Sequence, residues 1–596
     1  MIINDQQGVH EGSDFPAYIP SQRALHVLVQ GGILSKGETP QHLIERVTST
    51  LFSVEEQMFG TPPADSKKYA TALAECIVSG AAIPGTPLLT NAGRDENRSL
   101  SSCAMIPVIG STLDEATETK LLSHYKQNMG AGFDFNDCND PVALLTQINN
   151  LAARETATGN YDRYIGNMGL LPITHPSIHQ FIKAKRDREM KHFNISINVS
   201  ETFMERAANK DLFSLSNGKQ VQADALLYAI AENAWSHGDP GLIFLDRMNR
   251  DNPLADREEY AYVTTPPCAE LGLAKEETCH FGYINLGSFI LRRRGDIHID
   301  YNKMREITHL LTRALDNAIE YSLSRYPSPL SASISRTTRR IAIGVCGLAD
   351  VFLAYKLPYA SAEARTLARD LLSFITYAAK CASIDLARQR ESCPAMKFPA
   401  NKYVHGSFLE EKYAQKPTHT VSAHDWACLA SDIRNSKNLR NLSVTALAPS
   451  GRSSLLLDAT SSIEPLFSIF SHDGTIQPRI VNFLMDELNG NADTVAQVCQ
   501  MATLSGSFQQ CELLPASIRA CLKTAKEIEP MAHLQMAAEI AGVEGVVDEA
   551  ASKTVNLPYD TRVSDVVDIF LQAYRLGLKN ISIYRDKTKA AQPEML

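Results

Sequence analysis

Between Ile83 and about Thr460, short apolar runs of strand character alternate with longer stretches of helical periodicity, and no low-complexity linker interrupts them. Ala104 to Ile109, Phe193 to Val199, Gly241 to Phe244 and Tyr283 to Ile290 are such runs. That alternation predicts an α/β fold built as one large domain. Upstream, Leu25, Leu28, Val29 and Ile33, then Leu43, Ile44, Val47 and Leu51, then Tyr69 to Val78 recur at helical spacing. Downstream, Ile480–Asn489, Asp493–Thr503, Ala532–Ala541 and Val563–Leu576 are again helical, before a closing apolar run from Asn580 to Tyr584. The expected organisation is a helical N-terminal region over 1–82, the α/β domain over 83–470 and a mainly helical part over 471–596. The least patterned stretch, Pro394 to Asn438, reads as a long surface loop.

Composition narrows the function. Of 596 residues, 44% are hydrophobic and 21% charged, the balance of a globular chain with a large core. Lys plus Arg number 58 against 67 Asp plus Glu, a net charge of −9 with no long basic run. A nucleic-acid or anionic-membrane surface is therefore not expected, and any nucleotide bound is a small one. The opening MIINDQQGVHEGSDF is neither cationic nor apolar, and no stretch reaches the roughly 18–20 apolar residues of a membrane span, so a cytoplasmic location is expected. Of the 12 cysteines no two form a Cys-x-x-Cys motif, so no zinc or other metal site is expected. Cys76, Cys346, Cys381 and Cys499 lie among apolar residues and read as reduced, buried thiols.

Three segments place a cysteine beside polar or permissive backbone: Ser101-Ser102-Cys103, Pro266-Pro267-Cys268-Ala269-Glu270 and Thr278-Cys279-His280. The two prolines stiffen the approach to Cys268 and hold its thiol on a loop. In extended chain Glu270 would project on the same side as Cys268, setting an acid or base beside a thiol. Cys103 and Cys279 sit in period-two sequence, either as neighbours able to form a reversible disulfide or as buried thiols that never meet. Pro449-Ser450-Gly451-Arg452-Ser453-Ser454 is a turn able to cradle phosphate, or a plain Ser/Gly turn, and it is not a Walker loop.

From about Ser21 to Asp586 an ordered set of strings resembles the catalytic subunit of ribonucleotide reductases, in particular the adenosylcobalamin-dependent class II type. They include Thr86-Pro87 with Asn91-Ala92-Gly93, Ser101-Ser102-Cys103, Gly130 with Gly132-Phe133, Asn167-Met168-Gly169 before His175-Pro176, and Phe193-Asn194-Ile195-Ser196. Gly238-Asp239-Pro240-Gly241, Cys268 with Glu270, Cys279 with Ile284-Asn285-Leu286, Ala448-Pro449-Ser450-Gly451 and Ser552 through Pro558 continue the series.

The resemblance implies a ten-stranded α/β barrel around a finger loop. It implies Cys268 as the thiyl residue at the tip, Glu270 as the carboxylate that deprotonates the ribose 3′-hydroxyl, and Cys103 with Cys279 as the pair oxidised when the 2′-hydroxyl leaves. Substrate contacts fall on Thr86, Ser102, Gly130, Pro266, Pro449, Ser450, Gly451, Arg452 and Ser453. Adenosylcobalamin is the implied radical source, because the C-terminal run Gly577 to Asp586 lacks the tyrosine pair of class I proteins. The family usually reads Asn-Pro-Cys-Gly-Glu at the finger, so Pro266 lacks the amide that holds a ribose hydroxyl. Arg452 stands where a small hydroxyl residue is usual, and an arginine pairs strongly with phosphate. The sequence ends without the usual C-terminal cysteine pair, so a thioredoxin-like protein or small thiol is the expected reductant. No N-terminal ATP-cone, and hence no global dATP inhibition, is expected. Phe133 to Asp140 and Ala153 to Asn167 match the specificity-nucleotide loops of a homodimer interface. The expected function is radical reduction of ribonucleotides, as diphosphates, to 2′-deoxyribonucleotides. The alternatives are a diverged radical enzyme acting on another nucleoside or nucleotide, and a catalytically silent nucleotide-binding subunit.

Overall fold

In the computed structural model, residues 15–588 are described except 95–96, 188 and 294–295; most of the opening segment read above for charge lies outside them. Three helices come first: α1 (Gln22–Gln30), α2 (Pro40–Phe59) and α3 (Pro63–Val78). Ser21 and Thr39 accept backbone N–H groups at the starts of α1 and α2, proline occupies the first turn of α2 and α3, and Gly60 ends α2 in the left-handed region.

The strands that matter for the site are β1 (Ala82–Pro84), β2 (Cys103–Met105), β3 (Gly130–Asp134), β4 (Asn167–Pro172), β5 (Phe193–Asn198) and β6 (Gly241–Ile243). They continue with β7 (Thr278–Cys279), β8 (Phe281–Asn285), β9 (Ala342–Cys346), β10 (Thr554–Leu557) and β11 (Asn580–Arg585). β2 to β6 run parallel in sequence order. The second half is also parallel: β8 with β9, Ile343 with Thr445, Leu447 with Ala551, and β10 with β11. The halves meet antiparallel, β2 against β7 and β6 against β11, while His280 alone separates β7 from β8. Two sets of five strands therefore close a ten-stranded barrel, the 443–447 segment serving as one of them. Parallel neighbours require crossovers, and helices supply these outside the sheet, for example Ala223–His237 between β5 and β6.

Each half has its own apolar core. One joins α1–α3 to β8, β9 and the long helices Tyr301–Ser322 and Ala362–Arg390, and the other packs Phe133, Phe193, Phe203 and Phe570 around β3 to β5. Buried Glu55 of α2 accepts from Arg313, Arg390 and Asn317. Burial raises its pKa, but Arg390, Asn317 and Arg313 more than offset that and keep the carboxyl below its ordinary value. The N-terminal helices are thereby tied to the second half-barrel. Among the described residues, no helix is long and apolar enough to cross a membrane.

The expected surface loop is not found. Pro394 to Asn438 contains the helix Ala423–Ser436 and two fully buried aromatics, Trp426 and Tyr413, stacked with centroids 4.4 Å apart. The missed signal is Ser422-x-x-Asp425, a reciprocal capping box. Of the four cysteines read as buried, Cys76 and Cys346 are, while Cys381 and Cys499 are half-buried.

Candidate active site

The barrel interior is occupied by the loop that carries Cys268. Its stem is a short antiparallel pair in which Val263 N donates to Leu273 O (2.9 Å) and Leu273 N to Thr264 O (2.8 Å). The stem presses on β3: Thr264 Oγ1 donates to Phe133 O at 3.1 Å, and a Cβ on Gly132 would lie 2.3 Å from Thr265 O. Only glycine fits there.

At the tip, Ala269 N donates to Pro266 O at 3.0 Å, closing a four-residue turn. Pro267 takes the second position, where its fixed φ is favoured, and Cys268 the third. Ala269 has φ +59°, the left-handed region, which costs an L-residue about 1–2 kcal/mol. The loop is thus a turn, and the extended geometry expected for Cys268 and Glu270 does not occur. Three hydrogen bonds from distant elements hold the turn: Asn580 Nδ2 to Ala269 O (2.6 Å), Ala550 N to Glu270 O (3.0 Å) and Asn194 Nδ2 to Pro267 O (2.8 Å). Ala269 packs on an interior patch that includes Met168, Leu170, Ile243 and Tyr262.

Cys103 and Cys279 stand directly opposite one another in the antiparallel β2/β7 pair, with Ser102 N donating to Cys279 O at 2.9 Å. Both are reduced and buried. The Cys279 thiol hydrogen-bonds to Cys103 and holds the Cys103 thiol below its ordinary pKa, while burial pushes Cys279 well up. Gly130 sits beside them: a Cβ there would lie 3.2 Å from Cys103 Sγ and 3.4 Å from the Pro267 ring. The two thiols and the finger tip therefore share one cavity wall.

Cys268 is accessible to water although burial pushes its thiol well above the ordinary value, as expected of a group facing an internal cavity. Glu270 is buried; burial raises its pKa to about 7 against a backbone hydrogen bond and the charge of Arg163. Glu270 Oε2 and Ser102 Oγ are buried without a partner, an arrangement that asks for a polar ligand. Arg163, which sequence reasoning did not single out, donates to Ser102 O (3.0 Å) and Asn128 O (3.3 Å) beside the thiol pair.

Strand β8 gathers the candidate phosphate residues. Gly85 N donates to Phe281 O at 2.8 Å, which seats the half-buried Thr86 at the start of its helix, and Tyr283 Oη donates to Pro449 O at 3.0 Å. After Pro449 the chain turns into the short helix Gly451–Leu456; Ser450 Oγ accepts from Ser462 N (2.7 Å), Ser453 is buried, and nothing lies within 4 Å of a Cβ on Gly451. Arg452 touches Gly31 O at 3.4 Å, and its pKa is lowered by burial and then by Arg163. Arg452 thus lies near enough to Arg163 to feel its charge. Pro266 is buried in the turn and presents no polar side chain.

The opposite wall is small and polar. A Cβ on Gly241 would lie 3.1 Å from both Ser196 Oγ and Ile581 O and 3.7 Å from Ser582 Cβ, so β5, β6 and β11 approach one another closely there. Ser582 and Tyr584 alternate on the face of Asn580, and Tyr584 Oη is buried without a partner. Together with Asn194 this wall suits a bulky group rich in amides. Asn194 and Asn580 each lay within a string matched in the sequence, but neither was singled out, and the partner of Asn580, Ala269, lies 311 positions away.

The family model for the ribonucleotide reductase barrel domain matches residues 134–584. The vitamin B12-dependent ribonucleoside-diphosphate reductase of Mycobacterium tuberculosis (strain CDC 1551 / Oshkosh) is 31% identical over 590 residues, covering 93% of this chain and 77% of that protein. A protein of the same name from Thermoplasma acidophilum is 28% identical, over 88% of this chain and 66% of its own length. Among solved structures, the Actinobacillus ureae class Id ribonucleotide reductase alpha subunit superimposes with a TM-score of 0.72 over 96% of this chain and 98% of its own, at 18% identity, a likeness of fold. With its barrel model matched across three quarters of the length, this chain belongs to the ribonucleotide reductase family.

Proposed function

We propose that this protein reduces ribonucleoside diphosphates to 2′-deoxyribonucleoside diphosphates by thiyl-radical chemistry with adenosylcobalamin. The observation that carries the reading is the convergence of Cys268 and Glu270 on one turn with the Cys103–Cys279 pair beside it. The names of the two similar relatives support both the diphosphate and the vitamin B12 dependence. Adenosylcobalamin, when bound, supplies the radical equivalent, and Asn194, Ser196, Ser582 and Tyr584 are the residues that would hold it.

In this reading Cys268, as a thiyl, takes the hydrogen atom from C3′ and returns it once the 2′-hydroxyl has gone, and Glu270 takes the 3′-hydroxyl proton on its unpartnered Oε2 and gives it back at the end. Its raised pKa suits a general base working near neutrality. Cys103 and Cys279 supply two hydrogens as the 2′-hydroxyl leaves as water, and end as a disulfide. A thioredoxin-like protein or small dithiol restores them. Phosphate lies among Thr86, Ser102, Gly130 and the Pro449–Ser453 turn, where an anion between Arg163 and Arg452 relieves their mutual repulsion. The enzyme works in the cytoplasm as a homodimer.

The test is anaerobic incubation with adenosylcobalamin, a dithiol and each ribonucleoside di- or triphosphate, read by mass spectrometry for loss of one oxygen. Deoxynucleoside diphosphate from the wild type, and none from Cys268→Ala, is the expected result. No product with any nucleotide overturns the reading.

A further inference from the structure

Pro266 leaves the finger turn without a side chain able to hold a ribose hydroxyl, yet the cavity contains a phenol in a position to do so. Tyr283 lies on β8, whose alternation is settled by its neighbours: a Cβ on Gly282 would press on the Leu311 methyls of the helix outside, so Phe281 and Tyr283 face inward. Its ring lies over Gly344, where a Cβ would come within 3.2 Å of two ring carbons. The glycine leaves space for the ring. Tyr283 Oη donates its proton to Pro449 O at 3.0 Å, at the entrance of the Ser450–Ser453 turn. Glu270, Cys268, Arg163 and Cys279 all act electrostatically on this phenol. Tyr283 thus stands between the phosphate turn and the reacting groups, with its proton committed to Pro449 and its oxygen lone pairs free to accept.

We propose that Tyr283 is a substrate-positioning residue that accepts a hydrogen bond from a ribose hydroxyl of the bound nucleotide, replacing the contact that Pro266 cannot make. This rests on the ribonucleotide reading above. Because Pro449 fixes the phenol, the contact links the ribose to the phosphate turn and sets the sugar at a defined distance from Cys268.

The experiment measures equilibrium binding of a ribonucleoside diphosphate and of its 2′-deoxy and 3′-deoxy analogues to the wild type, Tyr283→Phe and Tyr283→Phe/Pro266→Asn, with turnover measured in parallel. Phenylalanine preserves the ring over Gly344 and removes only the oxygen. The expected result is that the wild type prefers the ribonucleotide over one deoxy analogue by roughly threefold to tenfold, as one hydrogen bond provides. Tyr283→Phe should abolish that preference and lower kcat by about tenfold or more through misplacement of the sugar. Adding Pro266→Asn should restore both. An unchanged preference and kcat in Tyr283→Phe, or a loss that Pro266→Asn does not restore, overturns the assignment while leaving the function reading intact. A wild type that binds none of these nucleotides sinks both.

Discussion

Cys103 and Cys279 are 176 residues apart in sequence and directly opposite in register, one on each side of an antiparallel seam between the two half-barrels. Opposed residues in such a pair have Cα atoms about 4.5–5.5 Å apart, inside the roughly 4.4–6.8 Å that a disulfide spans. Mild oxidation of the protein should therefore link the peptides carrying these two residues, with the loss of two hydrogens by mass spectrometry. Cys103→Ser and Cys279→Ser should each prevent the link. A link found only between other cysteines would count against the pairing.

The raised pKa of Glu270 sets a pH dependence. Its carboxyl is protonated below about 7 and ionised above, so a base at this position makes kcat/KM rise with pH through about 7 and then level off. Glu270→Gln should remove that limb and lower the rate by about 10²–10⁴. The linkage has the opposite sign for stability. A buried carboxyl whose folded pKa exceeds its unfolded value destabilises the fold as pH rises from the ordinary carboxylate range to about 7. Glu270→Gln should then be less sensitive to pH across that window in denaturant titrations.

Gly132 should tolerate no side chain. A Cβ there meets the backbone oxygen of Thr265, which cannot swing away as a flexible side chain would. Gly132→Ala is expected to destabilise the protein by about 1–3 kcal/mol and to displace the finger. The checks are the denaturation midpoint and turnover, which should fall more than the midpoint alone explains.

Ala269 should be improvable. At φ +59° its Cβ disfavours the turn that presents Cys268, and glycine removes that penalty. Ala269→Gly is expected to stabilise the fold by about 0.5–1 kcal/mol in equilibrium unfolding. A loss of stability would mean that the Ala269 methyl contributes more by packing on Met168 and Ile243 than its backbone costs.

The buried stack under the second half-barrel gives a fold-level check. Trp426→Ala opens a large cavity beside Tyr413 and should cost about 3–5 kcal/mol, measured by denaturant unfolding with near-ultraviolet dichroism of the remaining aromatics.

Local sequence by itself determined the helices α1 to α3, the alternation of strands and helices, and the chemical identities at the finger. Periodicity and prolines act over a few residues, and so they are readable without a structure. Register is different. That Cys103 faces Cys279, that Asn580 holds Ala269 across 311 positions, and that Tyr283 reaches Pro449 across 166 all depend on which strands become neighbours when the barrel closes. A cross-strand contact leaves no trace in the residues flanking either partner. The finger turn shows the same limit at short range: Pro-Pro-Cys-Ala-Glu alone is compatible with extended chain, and it is the hydrogen bonds from Asn194, Ala550 and Asn580 that hold Ala269 in the left-handed region. The candidate reacting residues were legible in the sequence, whereas the residues that hold them in place were decided by the tertiary structure.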